Sequence, residues 1–465
     1  RRRSLIKPKL NITFECQGCG ATYPAWVGQC SQCGEWNSIL EHHHSAKPSH
    51  KHLRKASQKP VKITAIDKKE IEHSYPTTIK ELDRVLGKGF IKGSVTLLGG
   101  EPGIGKSTLS LQLSSALAKQ DLNVMIITGE ESVQQIHFRA QRLDALHPSL
   151  SVYSETNMAE IIRTLQENQP DVVILDSIQV MVHPDLSASP GTVGQVRHSA
   201  TEFINWVKDN HAVGLIIGHI TKEGGLAGPK ALEHLVDVIL YFEGERTQLF
   251  RLLRCYKNRY ASTQEVGIFE MKQQGLVEIT NPSELFVGEH ELAQPGSVIS
   301  AITEGNRVLI IEIQALVVSS GFGMAKRNFV GVNINRANLI SATLEKIVSI
   351  PLHTKDIFLN IIGGLKVDEP SLDLAIVLAM VSSYHDRALG NKIAAIGEIG
   401  LTGEIRPVPR LEQRLLELTK MGYKQCYIPK LSRRIINTSL PIKGIECAHI
   451  QDVMRHFLTY ECTVV

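Results

Sequence analysis

The stretch GEPGIGKS at residues 100–107 decides the fold, because it matches the P-loop pattern in full. An apolar run at 94–99 precedes it and a helix is predicted over 106–119, which gives the strand–loop–helix setting that the motif requires. The glycines let backbone N–H groups surround phosphates, the lysine reaches the β- and γ-phosphates, and the following hydroxyl binds Mg²⁺. The motif therefore predicts an ATP and Mg²⁺ site made of Gly100, Glu101, Pro102, Gly103, Ile104, Gly105, Lys106, Ser107 and Thr108.

Apolar runs alternate with helical stretches on both sides of this motif. Continuous apolar strands separated by helices are typical of a parallel sheet that is covered on both faces. The predicted core strands are 94–99, 123–128, 171–176 and 212–218. Three later runs follow one another closely and are predicted to be antiparallel additions, at 236–242, 248–254 and 264–270. The sequence thus predicts an α/β domain over residues 76–282.

Polar residues stand at the ends of three of these strands. Asp176 ends an apolar strand and is predicted to be an outer-sphere Mg²⁺ partner, although it could instead cap the next element. Glu130 follows strand 123–128 and is predicted to face the γ-phosphate as the catalytic base. Alternatively, Glu130 and Glu131 both start helix 132–145, where acids favour the positive end of the dipole. His219 is a candidate γ-phosphate sensor or a plain structural histidine.

Four of the eight cysteines lie within residues 16–33, in two Cys-x-x-Cys-Gly turns. Each turn directs two thiolates at one centre, and two turns supply a tetrahedral set for structural Zn²⁺. Chance clustering and two redox pairs are the alternatives. The predicted ligands are Cys16, Cys19, Cys30 and Cys33.

The charge of the chain is uneven. The 465 residues sum to +4, but residues 1–60 hold ten Lys or Arg against three acids. Such a basic arm suits phosphate backbones, although it could be a solvated tail. Residues 41–75 are polar and are predicted to be a linker after a finger at 1–40. No run approaches the ~18 apolar residues of a membrane span and no secretory signal is predicted, so we expect a cytoplasmic protein.

Several of these motifs resemble those of the bacterial RadA (Sms) family of DNA repair proteins, in the same order and over nearly the whole chain. They are GEPGIGKS, TGEES at 128–132, ILDSIQ at 174–179, GHITKEG at 218–224, the four-cysteine finger, and KNRY at 257–260, which has Tyr where the family has Phe. The resemblance implies a RecA-like core and a DNA-stimulated ATPase. It also implies a ring-shaped oligomer, for which we expect a hexamer, acting on single-stranded and branched DNA beside the RecA recombinase.

A RecA-like ring needs a cation from a neighbouring subunit at the γ-phosphate. Lys257 and Arg259 of the KNRY segment are the candidates, and they could also form a basic cluster that contacts DNA. Glycine-rich loops at 183–195 and 222–231 are candidate DNA loops. The second of these loops contains Lys222 and Lys230.

Residues 283–465 resemble the Lon protease domain and are predicted to fold as an α+β domain. The segment 369–371 resembles the one that carries Lon's serine, here Ser371, and 397–408 resembles the one that leads to Lon's lysine. Continued in register, the lysine position falls on Glu412, while the nearby Arg410 and Arg414 cannot act as bases. A non-proteolytic scaffold with a DNA-binding surface is therefore predicted, at Lys326, Arg327 and Arg336. An ATP-dependent Lon-like protease is the alternative function, and a small-molecule kinase is a third.

Overall fold

The computed structural model divides into two compact units. It describes residues 11–16, 21–32, 34, 36–44, 74–186, 188–219, 232–244, 250–284, 287, 293–321, 325–430 and 442–459. The first unit is Arg1–Thr247 with Arg251–Glu278, and the second is Gln248–Phe250 with Ile279–Val465.

A small N-terminal ribbon has three strands in the order β2-β1-β3. They are β1 (Asn11–Cys16), β2 (Thr22–Tyr23) and β3 (Ile39–His44), and both neighbours of β1 run antiparallel to it. The ribbon's small core packs Cys16, Cys30 and Ile39 together.

The rest of the first unit forms around one nine-stranded sheet. Its elements are β4 (Ser74–Tyr75), α1 (Lys80–Leu86), β5 (Phe90–Ile91), β6 (Val95–Gly100), α2 (Lys106–Ala118), β7 (Val124–Thr128), α3 (Val133–Arg142), β8 (Leu150–Ser154), α4 (Met158–Asn168), β9 (Val172–Asp176), α5 (Val193–Asp209), β10 (Val213–His219), β11 (Val238–Glu243), β12 (Phe250–Asn258), β13 (Val266–Lys272) and β14 (Gly275–Glu278).

The sheet order is β14-β13-β12-β11-β6-β10-β9-β7-β8. All four predicted core strands are present, and they run parallel. The prediction that the run 236–242 is an antiparallel addition is wrong, because β11 pairs in parallel with the P-loop strand β6. The direction reverses only at β12, which is antiparallel to β11. The sequence of a short apolar run does not reveal whether the strand is parallel or antiparallel, because that depends on the strand with which it pairs.

Helices cover both faces of the sheet. Helix α2 packs into the hydrophobic core on one face, and α4 and α5 pack into the core on the other. The parallel register places His219 opposite Gly100, and Asp176 opposite Thr128. The carboxyl ends of four strands therefore meet at one edge, which is where ligands bind in sheets of this type.

The second unit has a seven-stranded sheet in the order β17-β18-β16-β15-β19-β22-β23. Helix α7 (Asp373–Tyr384) is apolar on nearly every side and is buried against β15 (Ser297–Glu304) and β16 (Arg307–Ser319). The elements are β15 (Ser297–Glu304), β16 (Arg307–Ser319), β17 (Arg327–Val330), α6 (Ile334–Val348), β18 (Lys355–Ile361), α7 (Asp373–Tyr384), β19 (Ile393–Ala395), β20 (Glu398–Ile399), β21 (Ile405–Arg406), α8 (Leu411–Lys420), β22 (Gln425–Pro429), β23 (Lys443–Cys447) and α9 (Ile450–Thr459).

Candidate functional site

The P-loop connects β6 to α2, and its glycines adopt conformations that other residues rarely take. Gly103 has φ 78°, and Gly105, which starts α2, has φ 116°. The buried Lys106 folds back over the loop, and its Nζ donates to the carbonyls of Gly100 at 2.8 Å and Glu101 at 3.0 Å. Burial lowers the pKa of Lys106 to about 8, against the opposing charges of Asp176 and Glu130. The Lys106 ammonium is thus desolvated, and phosphate oxygens could replace the two carbonyls as its hydrogen-bond partners.

Asp176 and Ser107 meet beside this lysine. Burial raises the pKa of Asp176, and a hydrogen bond from the Ser107 side chain opposes that shift. A hydroxyl and a carboxylate next to a phosphate loop are the oxygen donors that Mg²⁺ takes in nucleotide sites. The residues present therefore fit the metal.

Glu130 lies beyond the end of β7, in contact with the tips of two other strands. Its Oε1 accepts a hydrogen bond from the Ser177 hydroxyl and lies 3.3 Å from His219 Nε2. The bond with His219, followed by that from Ser177, lowers the pKa of Glu130 to about 2. The carboxylate is therefore ionised at any pH near neutrality.

The neighbouring Glu131 has a different set of partners. It forms an ion pair with Arg139 on helix α3, with Nη2 and Oε1 2.5 Å apart. The helix itself begins with a capping box between Ser132 and Gln135. Of the two glutamates considered in the sequence, Glu131 thus serves the helix, whereas Glu130 contacts the strand-end cluster.

Lys257 and Arg259 lie at and just after the end of β12, and their partners belong to the same chain. Lys257 Nζ donates to the carbonyls of Glu233 at 2.6 Å and Val236 at 2.8 Å, and burial lowers its pKa. Arg259 Nη1 lies 3.0 Å from Oδ1 of the buried Asp237, but half of the arginine side chain is exposed. Arg259 is therefore the more exposed of the two cations, and its guanidinium is accessible from outside the chain.

Two of the four predicted zinc ligands fall among the described residues. Cys16 and Cys30 are buried, with Ser38 Oγ 3.2 Å from Cys16 Sγ and the Tyr23 hydroxyl 3.1 Å from Cys30 Sγ. Either atom of each pair could be the donor, and hydroxyls at these distances fit second partners of zinc-binding sulfurs. Cys19 and Cys33 lie outside the described residues.

The candidate DNA-binding residues differ in how free their charges are. Lys326 is exposed, whereas the Arg327 guanidinium donates to the carbonyls of Lys355 at 2.7 Å and Leu352 at 2.8 Å. Arg336 forms an ion pair with the buried Asp373, whose Oδ1 lies 3.0 Å from Nε. Lys222 and Lys230 lie outside the described residues.

Arg414 lies next to Ser371, where the resemblance to Lon led us to expect the position of the base. Its Nη1 donates to Ser371 Oγ at 3.0 Å, and its Nη2 forms an ion pair with Glu369. Assigning this place to Glu412 was wrong. Helix α8 buries one face, and Glu412 lies off it; the buried positions are Leu411, Arg414, Leu415 and Leu418. The helical period, which counting along the sequence ignored, brings Arg414 to the serine.

Known proteins match this chain along almost its whole length. The DNA repair protein RadA of Bacillus subtilis (strain 168) is 45% identical over 96% of this chain and 98% of its own length. The chain belongs to the DNA repair protein RadA family. The protein of that name in Listeria monocytogenes is also 45% identical, over 92% of the chain and 93% of its own length.

Three domain families match separate parts of this RadA-family chain. They are described as "Rubredoxin metal binding domain" at residues 14–41, "AAA domain" at 65–225 and "Subunit ChlI of Mg-chelatase" at 331–432. These matches confirm the predicted fold class of zinc ribbon, P-loop ATPase and Lon-like domain, and support ATP and zinc as ligands. A solved ATPase domain aligns with 44% of the chain and 90% of its own length, at 14% identity and a TM-score of 0.38, too low to infer a shared fold.

The lengths of the apolar runs led us to expect no membrane span. Within the described part of the RadA-family chain, no helix is both long and apolar enough to cross a bilayer.

Sequence reasoning missed two residues of the strand-end cluster and its surroundings. Ser177 bonds Glu130, and its position directly after Asp176 at a strand end was a usable signal. Asp237 joins Arg259, Lys208 and the Val95 amide, with Val95 N 3.0 Å from Oδ2. No sequence spacing links these four residues, because they come from four separate segments of the chain.

Proposed function

We propose that this chain is a DNA-stimulated ATP hydrolase that assembles as a hexameric ring and moves along single-stranded and branched DNA in recombination and repair. The observation that carries the proposal is the cluster of Glu130, Ser177 and His219 at the same sheet edge as Lys106. The relatives are named DNA repair proteins, which suggests that DNA is the polymer on which the ATPase acts.

In the proposed reaction, Lys106 exchanges its two carbonyl partners for phosphate oxygens. Ser107 and Asp176 would hold Mg²⁺, which offsets phosphate charge when it is bound. Glu130 is ionised but is a weak base at a pKa of about 2, so it first orients the attacking water. His219 and Ser177 can turn from Glu130 to the γ-phosphate, which would raise the basicity of the carboxylate as the site fills.

The cations of the site support the proposal of a ring. Among the described residues, the basic side chains that act on Glu130 are His219 and Lys106, and Arg251, which donates Nε to the P-loop carbonyl of Ile104 at 3.3 Å, is buried. Phosphoryl transfer in related ATPases uses an arginine finger worth about 10³-fold or more in rate. The half-exposed Arg259 is the proposed finger for the neighbouring subunit, while Lys257 positions the segment through its bonds to the main chain.

Mixing two inactive variants tests the shared site. Lys106→Ala and Arg259→Ala should each lose most ATPase activity, with ATP binding retained in Arg259→Ala. Mixed rings contain some interfaces with both groups intact, so activity should partly return. If subunits exchange and the mixture stays as inactive as its parents, Arg259 acts within its own chain or on DNA alone.

DNA binding is proposed to be mainly to phosphates, through the arm at 1–60, the Gly/Lys loop with Lys222 and Lys230, and Lys326. Affinity should fall steeply with salt and vary little with sequence. ATP hydrolysis with and without single-stranded DNA tests the polymer directly, and intermediates made by the RecA recombinase test branch migration. A DNA-independent ATPase would contradict the proposal.

The competing function, an ATP-dependent protease, lacks a base for its serine. Among the described residues Arg414 is bonded to Ser371, and a guanidinium stays protonated in proteins. The Lon-like domain is therefore proposed to be a scaffold. The finger expected at 1–40 extends to His44, where β3 ends, and the linker expected at 41–75 ends before β4 at Ser74. The proposed division places the ATPase up to residue 282 and the scaffold at 283–465, in a cytoplasmic protein.

A further inference from the structure

A glutamine side chain contacts the end of strand β10, where His219 lies. Gln179 belongs to the short 3₁₀ turn Ile178–Val180 after β9, and its Nε2 donates to the main-chain carbonyl of His219 at 3.3 Å. A carbonyl oxygen can only accept a hydrogen bond, so this contact fixes which end of the amide is the nitrogen. The amide oxygen Oε1 is therefore left to make a different contact.

Two buried polar atoms beside this contact lack a partner. Gln179 Oε1 and His219 Nδ1 are both shielded from solvent, and neither has a hydrogen-bond partner within the part of the chain that the structure describes. Leaving a buried polar atom unpaired costs free energy. An amide oxygen accepts, whereas imidazole Nδ1 donates when it carries hydrogen. The two atoms are therefore complementary, although they are not bonded in the orientation that the ring adopts here.

The other ring nitrogen of His219 faces Glu130. Nε2 lies 3.3 Å from Oε1 of that ionised carboxylate, which can only accept, so Nε2 carries hydrogen in this contact. The charged side chains that act on this corner are Glu130, Asp176 and Lys106. A phosphate oxygen also accepts, and its negative charge favours the imidazolium form of the ring, in which Nδ1 carries hydrogen as well. A ring that turns to the γ-phosphate therefore needs an acceptor for Nδ1.

The turn that contains Gln179 is held by its surroundings. A Cβ added to Gly129 would lie 2.5 Å from Cγ2 of Val180, so Val180 packs closely over that glycine. Just after the turn, the Val182 amide donates to the Thr156 carbonyl at 2.8 Å. The main chain therefore fixes the position of Gln179, as a residue that orients another side chain requires.

We propose that Gln179 is a positioning residue for ATP hydrolysis. Its Nε2 holds the main chain of His219, and its Oε1 accepts from Nδ1 when the ring turns from Glu130 to the γ-phosphate. Both nitrogens of His219 are then held, one by the substrate and one by the protein. This inference rests on the proposed function in taking ATP as the substrate and His219 as the group that meets its γ-phosphate. Gln179 acts through His219 and not on ATP directly.

A double-mutant cycle with His219, measured on the full-length protein, tests this role. Gln179→Met keeps the length of the side chain and removes both its donor and its acceptor. It should lower kcat by about 10- to 100-fold, as the loss of a hydrogen bond to a charged group allows, while KM for ATP changes by less than about 3-fold. In a His219→Ala background the same substitution should lower kcat no further, because its only route is already lost. Gln179→Glu retains an acceptor oxygen and should recover part of the kcat that Gln179→Met loses.

Controls separate positioning from folding. Gln141→Met is the matched control, since Gln141 is exposed on helix α3, and it should keep the wild-type kcat. Thermal unfolding and binding of a fluorescent nucleotide check that each variant is folded. If Gln179→Met does not fold, Gln179→Asn, which draws the amide back by one methylene, replaces it in the cycle.

Three results would overturn the role of Gln179 alone. They are a wild-type kcat in Gln179→Met, losses that multiply in the double variant, and a Gln179→Glu variant no more active than Gln179→Met. A wild type that hydrolyses no ATP would instead overturn the proposed function.

Discussion

The nucleotide site and the Lon-like serine site contain similar groups in opposite circumstances. Each brings together a serine, a glutamate and a cation: Ser177, Glu130 and Lys106 in the first unit, and Ser371, Glu369 and Arg414 in the second. Both cations are buried, but the Glu130 side chain is 41% exposed, whereas that of Glu369 is 23% exposed. The types of side chain present therefore do not predict activity unless a substrate can also reach the reacting groups.

The two cations also differ in what they can exchange. Lys106 has two carbonyl partners in its own loop, and its pKa of about 8 shows that burial already works against its charge. Arg414 donates to Pro409, Ala301, Ser371, Thr303 and Glu369, all within the protein. A phosphate can improve the environment of the lysine, but no ligand is needed to satisfy the arginine. We therefore regard Arg414 as a structural residue that fixes three segments to helix α8.

The largest expected effect is on the nucleotide side. Glu130→Gln should lower the ATPase rate by about 10²- to 10⁴-fold with little change in ATP affinity, because the amide cannot accept the proton of the attacking water. Steady-state hydrolysis and binding of a fluorescent nucleotide measure the two quantities. Glu131→Gln is the matched control, since Glu131 pairs with Arg139 on α3. An equal loss of ATPase activity in Glu131→Gln would mean that Glu130 is not the specific catalytic base.

The second effect is on stability in the Lon-like unit. Arg414→Met should destabilise that unit by about 3–5 kcal/mol, because Glu369 loses its buried partner. Urea unfolding, with proteolysis to map cleavage after residue 279, measures the loss and locates it. Lys420→Met removes an exposed cation from the same helix and should cost at most about 1 kcal/mol. The double variant Arg414→Met/Glu369→Leu should recover much of the loss, and equal stability of Arg414→Met and Lys420→Met would refute the structural role.

Sequence patterns predicted one of these sites much better than the other. The P-loop residues are contiguous, and the three strand tips follow apolar runs that the sequence displays openly, so the ATPase core could be derived before any coordinates. Glu369, Ser371 and Arg414 come from two segments whose relation depends on the rotation of α8. Counting residues across the turn before that helix placed Glu412 at the serine, and only the helix's buried face corrected it. The pairing of β11 with β6 was hidden for a similar reason, since a strand's direction is a property of its neighbours.

The smallest expected effect distinguishes a scaffold from a protease. Ser371→Ala removes one acceptor of Arg414 Nη1, which also donates to the Ala301 carbonyl, so one buried N–H loses its partner. The cost in unfolding free energy should be about 1–3 kcal/mol, and ATP hydrolysis should not change. Neither the wild type nor the variant should cleave casein or a fluorogenic peptide, with or without ATP, because the described partner of the serine hydroxyl, Arg414, stays protonated. Ser371→Thr is a suitable control, since it keeps the hydroxyl and should recover part of the stability. If the wild type cleaves peptides in an ATP-dependent manner and Ser371→Ala abolishes the cleavage, then the guanidinium at Ser371 must move away during turnover. The contrast between an accessible site and a closed one would then describe only the resting molecule.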